Sequence, residues 1–144
     1  MSERFKITPA VFAFIEKEGK IVLMRRANTG YMDGHYTVPA GHVEDAELPY
    51  EAFIREVEEE TGLKVKAWEQ VHSMYNISQS IPYIYFFYKV TDFEGEIANI
   101  EPEKCDHIDW FHLDAIPENI IDYIADALGH LKAGVSFSEK GKGV

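Results

Sequence analysis

Apolar residues fall along this chain in short blocks whose spacing alternates between strand-like and helix-like. Residues 11–15 and 21–26 are β-branched and aromatic runs separated by Glu-Lys-Glu-Gly-Lys, a pattern that predicts a hairpin with Gly19 in its turn. Residues 27–36 have no periodicity and hold Asn28, Gly30, Asp33 and Gly34, so they read as a loop. A ten-residue loop in so short a chain is often functional. Residues 39–45 continue as turn or short strand. A helix then begins at Pro49, or a residue or two earlier because Leu48 is a poor cap, and Gly62 closes it in a left-handed conformation.

Strands follow over residues 64–75 and 83–90, the second rich in aromatics, and another lies within residues 105–113. Ile120, Ile124, Leu128 and Leu131 repeat at i, i+4, i+8 and i+11, which predicts a second amphipathic helix over about 117–132, ended by Gly134. The polar, glycine-containing stretch over about 135–144 reads as a frayed tail. Hairpin strands with two helices between them predict a mixed sheet covered by helices, α/β or α+β in class. Neither a repeat nor a linker interrupts the chain, so residues 1–144 are expected to form one domain.

Composition narrows the setting. The chain has 144 residues, 46% hydrophobic and 27% charged, enough to bury a core without disulfides. No apolar run reaches the roughly 20 residues of a bilayer span. Residues 1–6 lack a secretory core and the lone cysteine, Cys105, has no partner; both suit a cytoplasmic protein. The net charge of −11 argues against binding a nucleic-acid polymer, which ordinarily rewards lysine and arginine. Much of the excess is local. Glu44, Asp45, Glu47, Glu51, Glu56, Glu58, Glu59 and Glu60 lie together with Arg55 as the only basic residue.

On a helix at about 100° per residue, Glu56, Glu59 and Glu60 fall within roughly 100°, while Phe53, Ile54 and Val57 occupy another arc. One face packs and its neighbour is acidic. Crowded carboxylates raise one another's pKa or recruit hard cations such as magnesium or manganese. The plain alternative is a solvated acidic face. Such a face usually interleaves lysines for i, i+4 pairing, and none occurs between Glu44 and Thr61.

The segment from Gly41 through Glu47, seven further residues, and then Arg55-Glu-Val-Glu-Glu-Glu-Thr-Gly62-Leu63 resembles the Nudix box over residues 41–63, with every specified position filled. Upstream, Arg25-Arg26-Ala27 and Val38-Pro39-Ala40-Gly41 resemble the family's arginine-rich strand end and its Pro-Gly-Gly turn. The resemblance implies an α/β/α sandwich with a mixed central sheet. It further implies divalent cations, Mg2+ or Mn2+, held by Glu56, Glu59, Glu60 and the carbonyl of Ala40, where the family usually has glycine. Arg55 would orient a catalytic glutamate, Glu47 would brace the helix through hydrogen bonds, and Gly41 and Gly62 would shape the box.

The general base is left open between Glu56 and a loop acid beyond the box, where Glu103 is preferred to Glu101. Arg26, and after it Arg25, sits where MutT-like relatives place a phosphate contact. Asn119 resembles their base-reading asparagine, and Tyr36, among Tyr31, Tyr75, Tyr83 and Tyr85, is a candidate for stacking on a base. His35 and His42 lie near the site without metal-like spacing. The chain lacks the aromatic-proline tail of NADH-cleaving relatives and the coenzyme A signature. The first expectation is therefore hydrolysis of a nucleoside triphosphate to monophosphate and pyrophosphate. ADP-ribose, a nucleotide sugar or a dinucleoside polyphosphate is the second. A Nudix-like module that binds without hydrolysis is a third, and an unrelated cation-binding acidic helix a fourth. Homodimers are common in the family.

Overall fold

The computed structural model describes residues 3–143. Strand β1 (Thr8–Lys17) is the spine: Ala10, Phe12 and Phe14 point to one face of the sheet and Val11, Ala13 and Ile15 to the other, and all six are buried. A strand covered on both faces needs no polar alternation, which is why its sequence is a continuous apolar run. It pairs in parallel with β6 (Tyr83–Glu94), and antiparallel with the short β4 (Ala40–His42). Only its last residues pair with β2 (Lys20–Arg26), through the Gly19 turn. β2 then pairs with β3 (Tyr36–Thr37) and with β7 (Cys105–His112), both antiparallel. On the other side of β6 lies β5 (Lys64–Asn76), which carries a parallel edge strand, β8 (Phe137–Lys140).

Helix α1 (Pro49–Thr61) covers one face through Ala52, Phe53 and Val57, packed on Val11, Ala13, Ile15 and Tyr88. Helix α2 (Asp122–Ala133) covers the other through Tyr123, Ile124 and Ala127, packed with Phe12, Tyr85 and Phe87. This is the mixed α/β sandwich the pattern predicts. None of the described helices is long and apolar enough to cross a membrane.

Both ends of α1 agree with the sequence reading. The Glu51 carboxylate accepts a hydrogen bond from the Leu48 N–H at 2.8 Å, so the third helical residue supplies the cap that leucine cannot. Gly62 has φ of 80° and its N–H donates to Glu58 O at 3.0 Å.

Two expectations need correction. The second helix starts at Asp122 rather than near Pro117, because the backbone before it is already engaged. Tyr36 N–H donates to Asn119 O at 2.8 Å and Ile121 N–H to Tyr36 O at 2.9 Å, a parallel bridge that holds residues 119–121 extended. The tail is also not frayed throughout, since residues 137–140 form β8. Lys140 pairs with Asp126 at 2.7 Å, and the buried His72 ring lies 2.7 Å from both Val135 O and Ser138 Oγ.

These bonds suit neutral His72, with Nδ1–H donating to the carbonyl and Nε2 accepting from the serine hydroxyl. Burial holds its pKa below the ordinary value, and the His130 ring is stacked 4.9 Å away. A histidine depressed in the fold contributes stability that is complete above its unfolded pKa of about 6.5 and is lost as the pH falls below it. Thermal stability is therefore expected to fall more steeply between pH 7 and pH 5 in the wild type than in His72→Gln. Parallel pH curves for the two proteins would contradict this.

Candidate active site

Two cavities meet at the edge of the sheet among β4, β2 and the loops before and after β6. The acidic one, about 210 Å³, is lined by Glu56, Glu60, Glu101, Arg25, Arg26 and Lys104 among others. The aromatic one, about 270 Å³, is lined by Phe12, Tyr31, Tyr83, Tyr85, Tyr123 and Gln79 among others. Arg26, Thr37 and Ala40 belong to both. A charged chamber and a flat-walled apolar chamber thus share one wall.

Helix geometry decides which box glutamates face inward. Glu56 and Glu60 are one turn apart and both line the acidic cavity, whereas Glu59 leaves on the other side and is half exposed. Glu60 accepts a hydrogen bond from the Ala40 N–H at 3.0 Å. Burial pushes its carboxyl well above the usual range, and the negative charges of Glu56 and Glu101 add to that shift. Burial also raises Glu56, with Arg55 opposing. A Cβ at Gly41 would overlap the Glu56 carboxyl and push that side chain from its place.

Arg55 ties the box together. Its Nε and Nη2 donate to the two oxygens of Glu47 at 2.8 and 3.0 Å, its Nη1 donates to Glu56 at 2.7 Å and Glu59 at 3.3 Å, and Nη2 also reaches His42 O at 3.2 Å. The hydrogen bond from Arg55 holds Glu47 down at about 2, and Glu47 in turn is the main reason the guanidinium is raised. Glu47 also accepts from the Glu44 N–H at 3.0 Å, closing the loop that precedes the helix. With Arg55 paired to Glu47 and Glu56, no ion pair among the described residues reaches Glu60.

Both arginines of β2 reach the acidic cavity, although consecutive strand residues ordinarily face opposite sides. A register shift between Arg25 and Arg26 in the pairing with β7 explains it. Arg25 is held by Asp106 at 2.7 Å, and Arg26 donates to Tyr31 O at 2.7 Å with its guanidinium 5.2 Å from the Tyr31 ring.

Several expected residues lie elsewhere. Tyr36 is buried in the core, its hydroxyl 2.5 Å from His107 Nδ1 and its ring packed on Phe111, so it cannot stack on a ligand. Asn119 donates to Gly34 O at 2.8 Å and lines neither cavity. Glu103 points to solvent. The turn in which Lys104 and Cys105 N–H groups both donate to Glu101 O directs Glu101 inward instead. Glu59 meets Glu56 through the shared Arg55 Nη1 rather than inside the acidic cavity, and no three His, Cys, Asp or Glu side chains among the described residues form a ready metal-binding group. Thr37, Gln79 and Tyr123 were not anticipated. Tyr123 lies inside a helix periodicity that reads as core, and Gln79 carries no local signal.

Tyr36→Phe gives a direct check on the first of these corrections. Losing the bond to His107 is expected to cost about 1 kcal/mol in urea unfolding, with turnover of any substrate within about twofold of wild type. A large change in KM would return Tyr36 to the site.

An α/β/α sandwich with a carboxylate-bearing helix under the edge of its sheet is the frame that the sequence resemblance implies. The NUDIX domain model matches residues 6–128, and the chain belongs to the Nudix family. Over 114 residues it is 33% identical to the NAD-capped RNA hydrolase NudC of Salmonella paratyphi C, covering 78% of this chain and 42% of that protein. It is 46% identical over 66 residues to an ADP-ribose pyrophosphatase of Methanocaldococcus jannaschii, covering 44% of this chain and 38% of that protein. The chain thus spans under half the length of these curated relatives. Among solved structures, the MutT NUDIX hydrolase of Burkholderia pseudomallei superposes with a TM-score of 0.81 at 25% identity, over 87% of this chain and 98% of that one. The MutT protein of Methanosarcina mazei Go1 shares the fold, with a TM-score of 0.79 at 22% identity over 92% and 97% of the two chains.

Proposed function

We propose that this chain hydrolyses the phosphoanhydride of a nucleoside diphosphate linked to a further group, and that a nucleoside triphosphate is the first substrate to consider, giving monophosphate and pyrophosphate. The observation that carries the reading is the shared wall of Arg26, Thr37 and Ala40 between the aromatic and acidic chambers. It suits a ligand whose base and diphosphate lie a few ångströms apart. The names of the relatives favour a second reading, in which the group beyond the diphosphate is a ribose.

The donor set fits a hard divalent cation. Glu60 is a partly buried carboxyl whose pKa is raised well above the usual range, Glu56 and Glu101 add charge beside it, and no ion pair among the described residues reaches it. Glu56, Glu60 and the Ala40 carbonyl would hold magnesium or manganese, with Glu59 drawn in from the rim. When bound, such an ion polarises the diphosphate and makes a water more acidic. The protein's own parts do the rest. Arg26 and Arg25 orient phosphate oxygens, Arg55 fixes the Glu56 carboxylate, and Glu101, or Glu56 when it is free of its pair, accepts the proton of the attacking water.

A panel of nucleoside triphosphates, ADP-ribose, nucleotide sugars and dinucleoside polyphosphates, assayed with magnesium and with manganese and followed by product identification, tests the reading. Metal-dependent cleavage at the anhydride supports it. If no diphosphate compound is consumed under either metal, the hydrolase reading fails and a binding module remains.

A further inference from the structure

Resting on the reading of Glu101 as a working carboxylate of the acidic cavity, we infer that Asn99 is the residue that positions it, by tying together the two limbs of the loop over residues 98–105. The Glu101 carboxylate is not held through its own oxygens. Its ion-pair partner among the described residues is Lys104, whose Nζ lies 3.9 Å away, beyond hydrogen-bonding reach, on a largely exposed side chain. The place of Glu101 in the cavity with Glu56 and Glu60 is therefore set by the main chain that carries it.

That main chain is pinned at both ends beside the site. Ala98 N–H donates to Thr61 O at 2.9 Å, one residue beyond Glu60, and Ala27 N–H, one residue beyond Arg26, donates to Lys104 O at 2.9 Å. Between the pins, the Lys104 and Cys105 N–H groups close on Glu101 O at 2.9 and 3.1 Å. This turn joins Glu101 to the limb that enters β7, and residues 99 and 100 must connect it back to α1. Packing contributes little there, because Ile100 is half exposed. Asn99 supplies the cross-tie: its Nδ2 donates to Cys105 O at 2.7 Å. Asn28 braces the same limb more weakly, with Nδ2 3.3 Å from Glu103 O.

The orientation of the Asn99 amide follows from its partner, since an amide oxygen at 2.7 Å from the Cys105 carbonyl would set two acceptors against each other. The same orientation leaves Asn99 Oδ1 buried with no hydrogen-bond partner among the described residues. A buried polar atom left unpaired is a cost that an apolar side chain of similar shape avoids. Residue 99 thus keeps a group that stability alone does not favour, and the bond that group makes closes the loop carrying Glu101.

A double-mutant cycle tests the inference, read by calorimetry of Mn2+ binding to the full chain, with Asn99→Leu made in the wild type and in Glu101→Gln. Glu101→Gln takes a negative charge from beside the cation site and is expected to weaken Mn2+ binding about tenfold. Asn99→Leu should weaken it by a similar factor in the wild type and by less than about twofold in Glu101→Gln, because its effect passes through that carboxylate. An asparagine with a merely structural role gives the same penalty in both backgrounds. That result, or an affinity unchanged by Asn99→Leu in the wild type, overturns the inference and leaves the cation site standing. Amide hydrogen exchange without metal is the second readout: Lys104 and Cys105 N–H should exchange about tenfold faster in Asn99→Leu, with the amides of β1 and β6 unchanged. Unchanged exchange at residues 104 and 105 also overturns it. Should Asn99→Leu fail to fold, Asn99→Ala enters the same two comparisons. A wild type that binds no Mn2+ removes the cation site itself, and the inference falls with it.

Discussion

Glu60→Gln is expected to purify as a folded protein and to lose about a hundredfold or more of its turnover. Changes to groups that merely support a metal ligand typically cost ten- to a hundredfold, and this one removes a charged oxygen from the cavity itself. The exchange keeps the side chain's size and lets the amide oxygen accept the Ala40 N–H bond. Its effect on stability has the opposite sign. A carboxyl whose folded pKa lies above its unfolded one weakens the fold as pH rises through the unfolded value, because the folded state then holds a proton the unfolded state has released. In chelator at pH 7.5, the variant should therefore melt at or above the wild-type temperature. Added magnesium should raise the wild-type melting temperature more than that of the variant. Turnover within about threefold of wild type at limiting magnesium would remove Glu60 from the site.

Arg55→Lys is the second large effect. Lysine keeps the positive charge but not the planar fork that meets both oxygens of Glu47 while reaching Glu56. One ammonium cannot satisfy both carboxylates, so Glu56 should lose its fixed orientation and kcat should fall by about tenfold to a hundredfold. Acid sensitivity supplies a second readout. The depressed pKa of Glu47 stabilises the fold above the ordinary carboxylate range and ceases to do so as the pH falls toward about 2. In Arg55→Lys Glu47 is less depressed and contributes less at neutral pH, so stability should fall by less between the ordinary carboxylate range and about pH 2 than it does in wild type. If kcat and the acid-unfolding profile both match wild type, the bidentate pair has no role in ordering the box.

The acidic helix was legible because its signals are local. Proline at its first position, a glutamate to cap Leu48, glycine in a left-handed cap and the Arg55–Glu47 spacing all act within a few turns of chain. The ligand geometry was less legible. Glu59 shares the sequence motif with Glu56 and Glu60, yet its place on the helix leaves it half exposed at the rim, paired with Arg55 at 3.3 Å. Glu101 and Glu103 look alike in a polar loop, and only the backbone turn closed on Glu101 O distinguishes them. Asn119 and Tyr36 fit a family position or a residue type, but pairing across the sheet commits their polar groups to the protein itself.

The sequence by itself determined the mixed, helix-covered sheet and the acidic helix face that carries Glu56, Glu59 and Glu60, because strand and helix periodicity and the helix caps are properties of neighbouring residues. Tertiary structure decided the aromatic chamber, the entry of Glu101 into the acidic one and the pairing of β8, because these join residues far apart in the chain. The register shift between Arg25 and Arg26 belongs with them: two adjacent arginines reach one cavity only because β7 pairs out of step with β2.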